Sequence, residues 1–281
     1  MNELAIGTVC NNSCIMCTTL RSCDLKKAKQ EMKGKSQLVE EIKNFDKSRG
    51  VLITGGEPTI REDLFEIIRF IKSNNVGREI RLLTNGRRLC YLDYTNRLIS
   101  AGVTTFVIPL HANNSKVHDE ITRSRGSFKQ TVRGLQNLSK VLGRNICVEI
   151  RIVIHKKNYS LVAETAELIQ KYFPFARVVM LYYDSIGSAH LNKKELLVEM
   201  KEAVPYVEGA IDILASKAHV YHFPRCLFRE GYRDYSPGQT VEDRRVIFTE
   251  KCDDCIERTK CPGLWKIYYH NLGDKEIERI K

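Results

Sequence analysis

The sequence predicts an α/β fold: a partial (β/α)6 TIM-like barrel over residues 1–218, followed by a small Cys-rich domain over 219–281. Three observations predict it. Six short apolar runs alternate with amphipathic stretches, the pattern of a parallel sheet with helical crossovers. The chemically distinctive residues sit just after those runs, where a barrel gathers its functional groups. Beyond about residue 218 the alternation stops, and four of the ten cysteines fall in the loop-rich remainder.

Each element follows in order. Residues 3–9 read as a strand that runs straight into Cys10. "LVEEIKNF" (38–45) has helical spacing, and "GVLITGG" (50–56) is a buried strand ending in glycines. Residues 61–74 form an amphipathic helix, with Leu64, Ile67, Ile68 and Ile71 at i, i+3, i+4 and i+7. "EIRLLTNG" is strand-like, residues 91–101 helical, and "TTFVIPL" (104–110) a strand. Residues 127–142 form a helix capped by Ser127; "ICVEIRIVI" (146–154) is a strand and "SLVAETAELIQKYF" a helix. "ARVVMLYY" (176–183) is the sixth strand, and 193–218 a last helical stretch.

No run approaches the ~18 apolar residues of a membrane helix, and the N-terminal residues do not resemble a signal peptide. A cytoplasmic protein without membrane contact is expected. The net charge of +11 favours an anionic partner: nucleic acid, a phosphorylated metabolite or an acidic peptide. No aromatic-interleaved basic motif supports nucleic acid, and the densest basic run, "LKKAKQEMKGK" (25–35), reads as a solvated face. Ten cysteines without a secretion signal argue against disulfides. Cys10, Cys14 and Cys17 cluster at one end and Cys226, Cys252, Cys255 and Cys261 at the other, so two metal centres are expected.

"CNNSCIMC" (10–17) offers three thiols where a structural zinc site takes four. Three thiolates suit a [4Fe–4S] cube with one iron left open. With "GGEP" (55–58) at the end of the next strand, the pattern resembles the radical S-adenosylmethionine (SAM) superfamily over most of residues 3–183. The resemblance implies that the open iron binds the SAM methionine, that the reduced cluster cleaves SAM, and that a 5′-deoxyadenosyl radical abstracts hydrogen from substrate. It implies that Gly55, Gly56 and Glu57 meet the methionine amino group through backbone, with Pro58 shaping the turn. Met16 stands where relatives usually have an aromatic residue near the adenine. Pro109 stands where many have serine, and Arg151 where many have asparagine. An Arg fork suits the SAM carboxylate; an ion pair with Glu149 is the alternative for Arg151. Asn85 and His111 are candidates for the cavity wall. Cys23 is the candidate for a thiol that returns hydrogen to a substrate radical. Cys147 and Cys90 are lesser candidates, and Cys90 looks like packing.

Cys252-x2-Cys255-x5-Cys261 resembles the core of the SPASM and twitch domains that follow some radical SAM barrels. Trp265 occupies the place of a further SPASM cysteine, so one auxiliary [4Fe–4S] cluster is expected, with Cys226 as its fourth ligand. A closed cluster would transfer electrons or brace the fold; a structural zinc is the alternative. "GGEPTIREDLFEIIRFIK", "HDEITRSRGSFKQTVRGLQNL" and "CDDC…CPGLW" resemble radical SAM maturases of ribosomally made peptides, including the His-Xaa-Ser maturase group. This implies a peptide substrate that is crosslinked, epimerised or oxidised, and a reductase such as flavodoxin or ferredoxin. A first strand at about residue 3 leaves no leader-recognition domain before it, so a separate partner or a direct groove is expected. A twitch-type enzyme oxidising a sugar or cyclitol is the alternative.

Overall fold

The computed structural model describes residues 1–19 and 33–281. In chain order the principal elements are β1 (Asn2–Ala5), α1 (Lys35–Lys43), β2 (Val51–Thr54), α2 (Leu64–Ser73), β3 (Ile80–Leu83) and α3 (Leu92–Ala101). Next come β4 (Thr105–Pro109), α4 (Ser115–Thr122), α5 (Ser127–Ser139), β5 (Cys147–Ile154), α6 (Val162–Tyr172) and β6 (Arg177–Tyr182). The rest comprises α7 (Met200–Leu214), β7 (Ala218–Tyr221), the short pair β8 (Val246–Ile247) and β9 (Leu264–Trp265), and α8 (Lys266–Leu272).

Strands β1 to β7 form one parallel sheet in sequence order. An order without reversal distinguishes a barrel-type sheet from a doubly wound one. Among the described residues this sheet has seven strands where six were expected. The seventh, β7, is only four residues long, with Ala218 and Val220 turned inward, too brief to stand out as an apolar run. The expected helix over 193–218 is also interrupted: a single turn at Lys193–Leu196 precedes α7, and Ala215 adopts φ 50° where α7 ends. Helix α4 was not anticipated. Nor does Ser127 cap α5. It is the first helical residue, after Gly126 at φ 81°. The carboxylate of Asp119, on α4, accepts from the N–H groups of Gly126 (2.6 Å) and Phe128 (2.8 Å) and from the Ser127 hydroxyl (2.8 Å). A remote side chain satisfies the open helix donors.

The chain divides into two compact units. The first comprises Met1–Cys14, Thr19–Leu110 and His118–Ile150. Its core includes Val51 and Ile53 of β2 and the α2 stripe Leu64, Ile67, Ile68 and Ile71, all buried. Each such side chain contributes about 1.5–3 kcal/mol on burial. The second unit comprises Ile15–Thr18, His111–Val117 and Arg151–Lys281. Its core centres on Tyr182, whose ring meets those of Phe223 and Tyr268 edge-on at 5.5 and 5.6 Å, with its hydroxyl donating to the Val198 carbonyl at 2.6 Å. Among the described residues no helix is long and apolar enough to cross a membrane.

Candidate functional site

In the first unit, the chain leaving β1 crosses the end of β2. Gly56 N–H donates to the Gly7 carbonyl at 2.6 Å and Glu57 N–H to the Val9 carbonyl at 2.8 Å. A Cβ on Gly56 would collide with the Val9 carbonyl, and one on Gly55, at φ 135°, with that of Gly7. Both glycines are therefore required by the chain's own backbone, which carries Cys10 across this turn.

The Glu57 side chain is only 3% exposed. It accepts from Thr59 N–H (3.0 Å), Asn85 N–H (2.6 Å), the Thr84 hydroxyl (2.6 Å) and the Thr59 hydroxyl. Burial pushes its carboxyl above the ordinary range, and the four donors oppose that shift. The carboxylate thus ties the end of β2 to the end of β3. Pro58 opens the turn that Glu57 caps.

Arg87, after β3, grips the first cysteine loop. Its guanidinium donates to the Asn11 carbonyl, to Asn12 Oδ1 (2.8 Å), to Ser124 Oγ (3.1 Å) and to Gln130 Oε1 (2.6 Å). Asn85 Nδ2 donates to Asn11 Oδ1 at 2.6 Å and lies 3.9 Å from Cys10 Sγ. Asn12 N–H faces the same sulfur at 3.4 Å, and Ser13 N–H donates to the Thr122 carbonyl at 2.9 Å. Asn85 was anticipated as a wall residue. Arg87 and Asn12 were not, although "TNGRRL" places a cation directly after the strand end.

In the second unit, the Cys17 carbonyl accepts from Ala189 N–H (3.1 Å) and the Ile15 carbonyl from Asn192 Nδ2 (2.9 Å), which fixes the segment holding the buried Met16. Arg151 lies on β5, and its charge is felt at His222, just after β7. Burial is the larger influence there and lowers His222 to about 4. Glu149, on the same strand, faces Arg81 across 3.7 Å. His111 is buried, with its carbonyl accepting from Asn158 Nδ2 at 2.9 Å. His155, fully buried after β5, is lowered by burial to about 3.

Cys226, Cys252, Cys255 and Cys261 line one cavity, together with Thr249, Phe248, Leu264 and Ile277. Burial pushes the Cys226 thiol up to about 11 and raises that of Cys261. The backbone N–H groups of Glu278, beside Cys226, and of Arg225 and Gly263, beside Cys261, oppose this. Four thiols with N–H groups beside two of them form a donor set that fits an iron–sulfur cluster. Among the described residues, no three His, Cys, Asp or Glu side chains converge tightly on one metal-ion position. Trp265 is buried beside His222, ring centroids 4.6 Å apart, with the Arg245 guanidinium over its face. Cys147 is exposed at the start of β5, away from the strand ends where function gathers, and Cys90 is part-buried. Cys23 lies outside the described residues.

Comparison with known proteins places this arrangement. The chain is 26% identical over 169 residues to an AdoMet-dependent heme synthase of Methanosarcina barkeri, which covers 60% of the chain and 46% of that protein. It is 30% identical over 174 residues to the mycofactocin maturase MftC of Mycobacterium tuberculosis, covering 61% of the chain and 42% of that protein. It thus spans less than half the length of either relative. The solved structure of Streptococcus suis SuiB bound to precursor peptide SuiA superposes with a TM-score of 0.51 at 17% identity, over 75% of this chain and 45% of that one, a likeness of fold. Residues 4–169 match the Radical SAM superfamily, and with the cysteine loop and the GGEP turn inside that span, the chain belongs to this superfamily of enzymes.

Proposed function

We propose that this radical SAM enzyme modifies a ribosomally made peptide, and that its two cysteine sets hold two [4Fe–4S] clusters. The family implies one cluster and SAM. Together they supply, when bound, a 5′-deoxyadenosyl radical that takes hydrogen from substrate. Cys10, Cys14 and Cys17 are the ligands of the first cluster. Arg87, Asn85 and Asn12 hold the Cys10 segment in shape, and the Glu57 side chain fixes the turn, shaped by Pro58, on which Gly55, Gly56 and Glu57 would offer backbone to the methionine end of SAM. Met16 would pack on the adenine, and the Arg151 guanidinium would donate to the carboxylate.

The observation that carries the reading is the presence of both cysteine sets in one chain: three on the clamped loop, four around one cavity. Thiols spread around cavity walls suit a cube, in which each thiolate takes its own iron, better than a zinc ion at one point. Residues 1–218 are the catalytic barrel and 219–281 the auxiliary domain. Its closed cluster moves an electron between substrate radical, first cluster and a flavodoxin- or ferredoxin-type reductase. A cytoplasmic location goes with such partners.

The peptide substrate is supported by the maturase relative and by the +11 charge, which suits an acidic precursor. The fold also accommodates a precursor peptide in SuiB. A small-molecule substrate, as for a sugar or cyclitol dehydrogenase, is the second reading, and the heme synthase relative favours it. The test is incubation of the reduced enzyme and SAM with candidate acidic precursor peptides, any short peptide encoded beside its gene first among them. A mass change in the peptide, with one 5′-deoxyadenosine or more per event, is expected. SAM cleavage that responds to a small metabolite and never to peptide would overturn the peptide reading.

A further inference from the structure

Thr249 caps the short turn that carries Cys252. Its carbonyl accepts from Cys252 N–H at 2.8 Å, but its hydroxyl makes no capping bond to the turn. A threonine in this position ordinarily spends its hydroxyl on an open turn donor. Here Oγ1 is buried, and no partner for it is found among the described residues. Leaving a buried hydroxyl unpaired is costly, so the group calls for an acceptor. The space that Thr249 lines is the four-cysteine cavity. Backbone N–H groups already stand beside two of the sulfurs, that of Glu278 at Cys226 and those of Arg225 and Gly263 at Cys261. The segment that brings Glu278 to the cavity is itself tied down: Ile277 is buried against it, and the Ile280 carbonyl accepts from Ile256 N–H at 3.2 Å. Backbone donors thus stand beside sulfur in this cavity, and among the described residues the Thr249 hydroxyl is a buried side-chain donor there with no acceptor.

We propose that the Thr249 hydroxyl donates a hydrogen bond to a sulfur of the auxiliary cluster and thereby raises that cluster's reduction potential. The proposal rests on reading the four-cysteine cavity as a cluster site. Hydrogen bonds to the sulfurs stabilise the extra negative charge of the reduced cluster, so they shift the potential upward. Thr249 is a tuning residue that acts through the cluster and need not touch substrate.

The experiment is a redox titration of the reconstituted full chain followed by electron paramagnetic resonance. The signal that survives in a Cys14→Ala variant is assigned to the auxiliary cluster. Thr249→Val keeps the shape and removes the hydroxyl, Thr249→Ala guards against a poorly fitting valine, and Thr249→Ser restores the donor. Iron content should stay at the wild-type level in all three. Valine and alanine should shift the reduction equilibrium about tenfold toward the oxidised form, ~59 mV for one electron, and serine should leave it near wild type. Full iron with an unchanged potential in the valine and alanine variants overturns the proposal. So does loss of auxiliary iron in both, because the hydroxyl would then hold the fold and not the potential. A wild-type protein with about four irons per chain instead overturns the underlying cluster reading.

Discussion

At the scale of single residues, the site depends on side chains that touch neither thiol nor substrate. Glu57 accepts four donors in a dry setting, so Glu57→Ala should leave two backbone N–H groups and two hydroxyls unpaired. A loss on the order of 3 kcal/mol is expected in urea unfolding, together with loss of SAM cleavage. An unchanged unfolding midpoint would show that the network is dispensable. Arg87 touches the cysteine loop at Asn11 and Asn12. Arg87→Met should weaken iron retention roughly 10–100-fold, the range for residues that orient metal ligands, and Arg87→Lys should recover only part because it lacks the planar fork. Competition with an iron chelator reads this directly. The cysteines and GGEP were legible in the sequence because the chemistry needs those types at that spacing. The use made of Glu57 was not, since its partners Thr84 and Asn85 lie on another strand and only folding brings them near. Thr249 was missed for a similar reason: its environment is set by segments distant in sequence.

At the scale of elements, strands and helices with a full apolar stripe were readable, α2 being the clearest case. What escaped were pieces held by remote partners. Helix α5 starts where Asp119 of α4 meets it, not at a local Ser127 cap. Helix α7 begins at Met200 because the buried Glu276 accepts Met200 N–H (3.2 Å) and Lys201 N–H (2.8 Å) and also bonds the Tyr268 hydroxyl. Glu276→Ala should therefore destabilise the second unit by about 1–2 kcal/mol, the cost of a lost helix cap, seen as a lower thermal midpoint. Strand β7 is too short to announce itself by composition. The crossing of β1 over β2 carries the sharpest local test. Gly56→Ala places a methyl against the Val9 carbonyl, and backbone cannot yield as a flexible side chain would. That variant should fail to fold or fail to hold iron, whereas alanine at Gly126, with open space around it, should be tolerated apart from the strain of φ 81°.

At the scale of the whole molecule, buried histidines set the response to acid. Burial lowers His118 to about 4 and His155 to about 3, against ~6.5 in an unfolded chain. Between those values the unfolded chain binds more protons. Their contribution is intact above ~6.5 and is lost as pH falls through 4 and 3, by up to ~1.4 kcal/mol per pH unit for each histidine. Glu57, raised by burial, acts in the opposite sense: its contribution is full at low pH and fades as pH rises through its elevated value. His222, lowered by burial to about 4, acts with them, and three groups outweigh one, so unfolding free energy should fall as pH drops from 6.5 to 4.5, and a flat profile would count against buried neutral histidines. The barrel's order and its functional edge were readable from alternation alone, because parallel strands buried on both faces leave plain apolar runs. The turns beyond β7 were readable only through their cysteines, since four of these line the cavity that the turns surround. The proposed enzyme holds an open and a closed cluster in one chain. Iron and sulfide analysis of the anaerobically reconstituted protein tests this most directly. About eight irons per chain are expected, falling to about four when Cys252 and Cys255 are both replaced by alanine; about four in the unaltered protein, or tightly bound zinc in place of the second set, would contradict it.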